Sequence, residues 1–180
     1  ADIKLIGNAA IRQLEHLVAD TKWLLDRSSK GRPQVVHNLE TSFHDQLAVE
    51  VGGEEVDEMQ VLSPFFDKGA VALKRTLETF RPTRLKILLQ PEWTSVDPDA
   101  LSEVLAGYSG EWELVPFTPL AEGAYVHAKC LLLKMKGRTI CLQGSPNMSA
   151  PAMLSTIVDG NIEMANLIID DEEHFGYMFD

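Results

Sequence analysis

Two rhythms of apolar residues alternate along this chain. Short continuous apolar runs, which suit buried strands, trade places with stretches where apolar residues recur every three or four positions, as on one face of a helix. Residues 58–66, EMQVLSPFF, read as a strand running into a Pro turn, and residues 67–80 as a helix with Val71, Leu73, Leu77 and Phe80 inward. A strand at 84–90, a helix at 97–108 and a strand at 111–117 follow. Residues 125–143 hold two apolar runs about the turn Met135-Lys136-Gly137-Arg138, which predicts a hairpin. A short helix after Asn147, a strand at 162–169 and a terminal helix over 171–179 complete this part. Upstream, Asn8 suits the N-cap of a helix from Ala9 to about Asp26, with Ile11, Leu14, Leu17, Val18, Leu24 and Leu25 as its apolar stripe. Residues 26–34, DRSSKGRPQ, read as a charged loop and the best linker candidate, and residues 41–51 as a short helix before Gly52-Gly53.

Strands alternating with helices predict an α/β fold, a mixed β-sheet flanked by helices on both faces. Residues 1–180 are expected to form one domain, with 56–180 as its core and 1–55 as a helical N-terminal part. No internal repeat or low-complexity run interrupts it. A chain of 180 residues can bury one good core but is short for two.

Charge narrows the partners. The formal net charge of -11 weighs against a broad nucleic-acid surface, which draws on Lys and Arg, and leaves room only for a local basic groove. Lys134, Lys136, Arg138, Arg81 and Arg84 are the candidate cations for such a groove. No apolar run approaches the roughly 18 residues of a membrane helix, and the start does not resemble a signal peptide. Cys130 and Cys141 sit in the two apolar runs of the hairpin, where reduced core thiols are expected. A cytoplasmic location is the expectation. The chain begins at Ala1 rather than Met, which suggests a segment of a longer protein.

The hairpin raises a chemical question. His127 and Lys129 lie two apart within its first apolar run, so in a strand they project together. The second run breaks into Gly144-Ser145-Pro146-Asn147, which the hairpin returns to the level of His127. A stable core needs none of these polar groups. Gathered at one point they suit a phosphate: Lys supplies charge, Ser and Asn supply hydrogen-bond donors, and His can attack phosphorus or move a proton.

His-x-Lys followed by Gly-Ser-x-Asn resembles the hallmark of the phospholipase D superfamily. The resemblance extends to VLSPFFD at 61–67 with the helix and strand after it, and to GNIEMANLII at 160–169, whose Glu163 matches a glutamate that supports the catalytic histidine. Residues 56–180 fit one half of the family's usual pair. The resemblance implies a phosphodiesterase that uses neither metal nor other cofactor and acts through a phosphohistidine. His127 would be nucleophile or acid, Lys129 and Asn147 would hold the non-bridging oxygens, Ser145 would assist, and Glu163 would orient His127. It also implies a second histidine, from a homodimer partner or from residues beyond the chain, since only one motif is present. Where the family often has Asp, this chain has Lys134. Nucleic acid is the expected substrate. Phospholipid hydrolysis or phosphatidyl transfer is the first alternative, and a catalytically silent module that binds nucleic acid or protein is the second.

Other polar residues carry less. His37-Asn38 and His44-Asp45 show no triad or metal spacing and read as surface or supporting groups. His16 and His174 lie beside acidic residues on expected helices. Trp23, Trp93 and Trp112 read as core or rim, and the acidic clusters as solvated faces or caps. Without a zinc-like Cys/His cluster or a compact carboxylate set, no catalytic metal is expected.

Overall fold

The computed structural model describes residues 33–119 and 123–170. In chain order these form β1 (Gln34–His37), α1 (Phe43–Val51), β2 (Val56–Leu62), α2 (Val71–Phe80), β3 (Arg84–Leu89), α3 (Pro98–Ala106), β4 (Glu111–Pro116), β5 (Cys130–Met135), β6 (Arg138–Gly144), a π-helical turn (Ala150–Leu154) and β7 (Met164–Asp170). The seven strands make one mixed sheet in the order β1-β7-β6-β5-β2-β3-β4. The β2-α2-β3-α3-β4 portion is parallel, while β5, β6, β7 and β1 are joined by antiparallel pairings.

Local chemistry sets the helix starts. Ser42 Oγ accepts from Asp45 N–H at 3.1 Å and caps α1, and Gly52 closes that helix in the left-handed region at φ 62°. Asp97 accepts from the Asp99 and Ala100 amides at the start of α3, with Pro98 in its first turn. The Asp67 carboxylate accepts from the Val71 and Ala72 amides of α2 and also from Ala150 N–H. One side chain thus fixes both a helix start and the turn after the Gly-Ser-Pro-Asn segment.

The strands sort their side chains by alternation. Met59, Val61, Leu131, Leu133, Ile140 and Leu142 pack with Phe43, Leu47, Leu73, Leu77 and Leu101 of the helices in the main core. All three described helices pack there, as two parallel crossovers of the same hand require for α2 and α3. The alternate residues Leu88, Cys130, Leu132, Cys141 and Ile168 form a smaller buried cluster on the other face. The helices expected over 9–26 and 171–179 lie outside the described residues. Cys130 and Cys141 are free thiols with sulfurs 3.7 Å apart; the hydrogen bond to Cys141 and burial push the Cys130 thiol up.

The α/β class and the mixed sheet match expectation, and four details differ. β1 was not foreseen: it is four residues long, pairs among the described residues only with β7 and alternates between half-buried and exposed. The expected helix after Asn147 is a single π-helical turn. The terminal linker candidate ends inside β1, with most of it outside the described residues. The hairpin begins at Cys130 rather than 125, so His127 and Lys129 precede the strand instead of lying in it. The reason is a missing neighbour: β2 leaves the ladder at Leu62, opposite Cys130, to enter the Pro64 turn. The segment before Cys130 is held by a side chain instead. Gln90, at the end of β3, donates through Nε2 to Ala124 C=O at 2.6 Å and accepts from Val126 N–H at 2.9 Å.

Candidate active site

The motif residues gather at one end of the sheet, where the carboxyl ends of β2, β3 and β6 meet the beginnings of β5 and β7. β2 is where parallel pairing gives way to antiparallel, and loops at the carboxyl ends of strands near such a change commonly form clefts.

His127 is exposed, and Lys129 is buried with 8% of its surface accessible. The Lys129 ammonium lies 2.9 Å from Nδ1 and 3.0 Å from Nε2 of the His127 ring and donates to the His127 carbonyl at 3.0 Å. An ammonium can only donate, so the ring nitrogen it engages offers a lone pair. Burial holds Lys129 below the usual lysine range, and the Glu163 carboxylate opposes that shift. A desolvated cation beside an exposed imidazole is a ready place for a phosphate.

Behind this pair stands a second. Ser145 Oγ donates to Glu163 Oε2, and the same hydroxyl oxygen accepts from Met164 N–H at 3.0 Å. Ser145 N–H donates to Met164 C=O, also at 3.0 Å. Asn161 Nδ2 donates to the other Glu163 oxygen at 3.2 Å. Gly144 permits the close approach: a Cβ there would lie 2.6 Å from both Ala165 Cα and Met164 O. Asn147 follows on the same loop, and its carboxamide oxygen is buried without a hydrogen-bond partner.

The structure therefore joins His127 with Lys129 and Ser145 with Glu163, and couples Lys129 to Glu163 through charge. No hydrogen bond among the described residues joins Glu163 to His127, or the Asn147 side chain to the other four.

Two side chains outside the motif hold the site: Gln90, and Asn38, which the sequence reads as a surface or supporting group. Gln90 fixes the strand-like path of 124–126. Asn38, fully buried, accepts from Glu163 N–H at 2.9 Å through Oδ1 and donates through Nδ2 to Asn161 C=O at 2.8 Å and Ser155 C=O at 3.1 Å. A polar residue after an unforeseen edge strand gave no local signal of this task.

The cations proposed for a groove are a correction. Lys134 and Arg84 both pair with Glu58, at 3.1 and 3.4 Å, and Arg138 pairs with Glu54 at 2.7 Å and donates to Glu50 C=O. Arg81 donates to Glu78 C=O at the end of α2. Strand rise places Lys134 about 17 Å along the chain from Lys129, so this group occupies the opposite end of the sheet. Lys134, which stands where the family resembled in sequence often has Asp, is the partner of Glu58. His44 is also corrected: it is buried rather than superficial, its nitrogens facing Asp45 Oδ1 at 3.1 Å and Thr79 Oγ1 at 2.9 Å and its ring against Phe80.

No protein-family model and no curated protein matches the chain. Among solved structures it is similar to yeast tyrosyl-DNA phosphodiesterase, with 18% identity over 74% of this chain and 31% of that one, at a TM-score of 0.45. NucT from Helicobacter pylori is 17% identical over 79% of this chain and 87% of that one, at 0.49. Polyphosphate kinase from Porphyromonas gingivalis is 14% identical over 82% of this chain and 26% of that one, at 0.44. The chain thus spans under a third of the phosphodiesterase and of the kinase. At these identities and scores the likeness decides no activity, and the chain's own side chains must.

Proposed function

We propose that this chain is a phospholipase D-like phosphodiesterase domain of the nuclease type, working without a metal through a phosphohistidine. The observation that carries this reading is the exposed His127 ring held against the ammonium of buried Lys129. A His127 nitrogen attacks phosphorus; the P–N bond forms as the P–O bond to the leaving alcohol breaks. Lys129 and Asn147 bind the non-bridging oxygens, where negative charge gathers. Ser145 and Glu163 brace Lys129 and the loop that carries Asn147. A histidine from a second copy of the motif protonates the leaving oxygen. Deprotonated by that histidine, water then attacks phosphorus and breaks the P–N bond.

The test joins size to activity. Solution mass is measured, and wild-type and His127→Ala proteins are incubated in EDTA with single- and double-stranded DNA. The expected result is cleavage by wild-type only, from a dimer. When the two proteins are mixed and allowed to re-equilibrate, a site sharing both histidines loses activity as the square of the wild-type fraction. Cleavage that needs a divalent ion, or that survives His127→Ala, would overturn the reading.

A further inference from the structure

Beside His127 stands an aromatic ladder that the phosphodiester chemistry does not use. Trp93 and Tyr125 stack with ring centroids 5.4 Å apart and planes 27° apart, a favoured offset geometry. The Tyr125 ring lies 5.4 Å from that of His127, tilted by 50°. Both aromatic side chains are nearly half exposed, Trp93 at 48% and Tyr125 at 45%, so stacking on one another does not bury them.

The ladder is held rigidly. Trp93 and Thr94 N–H both donate to Gln90 C=O, at 3.1 and 2.9 Å, and Thr94 Oγ1 accepts from Gln90 N–H at 2.9 Å. Ser95 is bonded on both sides to the Pro64–Phe66 turn. Glu92, just before Trp93, sits at φ 67°, a backbone region that disfavours side chains other than Gly. Tyr125 lies on the segment that the same Gln90 side chain grips through Ala124 and Val126. A single buried glutamine therefore organises both rungs.

Resting on the phosphodiesterase reading, we propose that Trp93 and Tyr125 receive an unpaired nucleobase next to the phosphodiester at His127, which makes single-stranded nucleic acid the substrate class. Flat, fixed and accessible π-faces suit a base, every one of which has a face to stack. A paired base in a duplex has no free face to offer. Lys134, Arg84 and Arg138 are tied to Glu58 and Glu54 at the far end of the sheet, so the proposal rests on stacking rather than on those cations.

The experiment measures equilibrium binding by the His127→Ala protein, so that turnover plays no part. The probes are a short oligothymidylate, an abasic oligonucleotide of equal length, a duplex, and phosphatidylcholine vesicles. Expected are tighter binding to the oligothymidylate than to the abasic strand by about 5- to 150-fold, and a shallow salt dependence of about one phosphate, with a slope near -0.7. Adding Trp93→Ala and Tyr125→Ala should abolish the preference. Trp93→Leu with Tyr125→Leu keeps the apolar bulk, and should lose it as well while melting at the parent temperature. Equal affinity for base-bearing and abasic strands, an unchanged preference in the leucine variant, or selective binding to vesicles would overturn the proposal. Wild-type cleavage in EDTA is scored separately: base-dependent binding without His127-dependent cleavage sinks the phosphodiesterase reading and leaves the platform, and the reverse outcome does the opposite.

Discussion

Replacing Asn38 with Ala removes the side chain that clamps the segment bearing Glu163. Three hydrogen bonds go: one accepted from Glu163 N–H at 2.9 Å and two donated to the carbonyls of Asn161 and Ser155. A typical protein hydrogen bond contributes about 0.5–1.5 kcal/mol net, so the three together are worth about 1.5–4.5 kcal/mol. The Glu163 amide bond is buried, and leaving that N–H unpaired costs about 1–3 kcal/mol on its own. The Asn38 backbone bonds to Glu163 C=O and Ile157 N–H survive the change and keep the loss near the middle of that range. The expected outcome is a drop of about 3 kcal/mol in the stability from urea unfolding, with the slope against urea unchanged. Folded Asn38→Ala protein should also cleave DNA in EDTA more slowly than wild-type, because Glu163 then holds Ser145 from a looser loop. Asn38→Asp should not rescue it, since a carboxylate would face two carbonyl oxygens. A stability change below about 0.5 kcal/mol in Asn38→Ala would refute the clamp, because three real bonds cannot vanish so cheaply.

Three further outcomes follow from the same geometry. Gly144→Ala forces a Cβ to within 2.6 Å of the β7 backbone and should lower stability by about 1–3 kcal/mol; thermal melting checks this, and a neutral result would mean that β6 and β7 part easily. Glu58 is pushed up by burial, but hydrogen bonds from Gln60 and Lys134 and the charges of Lys134 and Arg84 outweigh this and leave it lowered from 4.5. Its ionised form therefore stabilises the fold above about that pH, and the benefit is lost as pH falls through the folded value; Glu58→Gln should flatten this acid limb in urea midpoints taken from pH 7 downward, and an unchanged limb would refute the assignment. Lys134→Asp should destabilise by about 1–3 kcal/mol by setting a second carboxylate beside Glu58, and Glu58→Gln in the same chain should recover part of the loss.

What was legible in the sequence follows from how local its causes are. The strands from β2 to β7 and the helices α2 and α3 announce themselves through apolar period and turn residues, although β2 ends at Leu62 rather than 66 and β5 begins at Cys130 rather than 125. The motif was legible because its members are close in sequence and the hairpin brings them together. β1 was not, because four edge residues that alternate between half-buried and exposed carry too little apolar signal. The clamp by Asn38 was hidden for a different reason, since 125 residues separate it from Glu163 and only the β1–β7 pairing joins them. The cations misled for a related cause: Lys134 and Arg138 are near His127 in sequence, yet an extended strand carries each further residue about 3.3 Å away.

Stability and chemistry are divided between the two ends of the same strands. Toward the β5–β6 turn the charged groups Lys134, Arg84 and Arg138 are ion-paired with Glu58 and Glu54, with Arg138 Nε buried and without a partner. At the other end they are not: Lys129 is desolvated, the Asn147 oxygen is buried without a partner, and His127 is exposed. The Asn147 oxygen is an acceptor and calls for a donor, whereas an anion's place is at the buried Lys129 ammonium beside the exposed His127 ring. Among the described residues, Lys129 and the Ser145 hydroxyl at this end already donate elsewhere. The site has one face built and one face open, and the open face is where a second histidine must arrive if phosphodiesters are cleaved here.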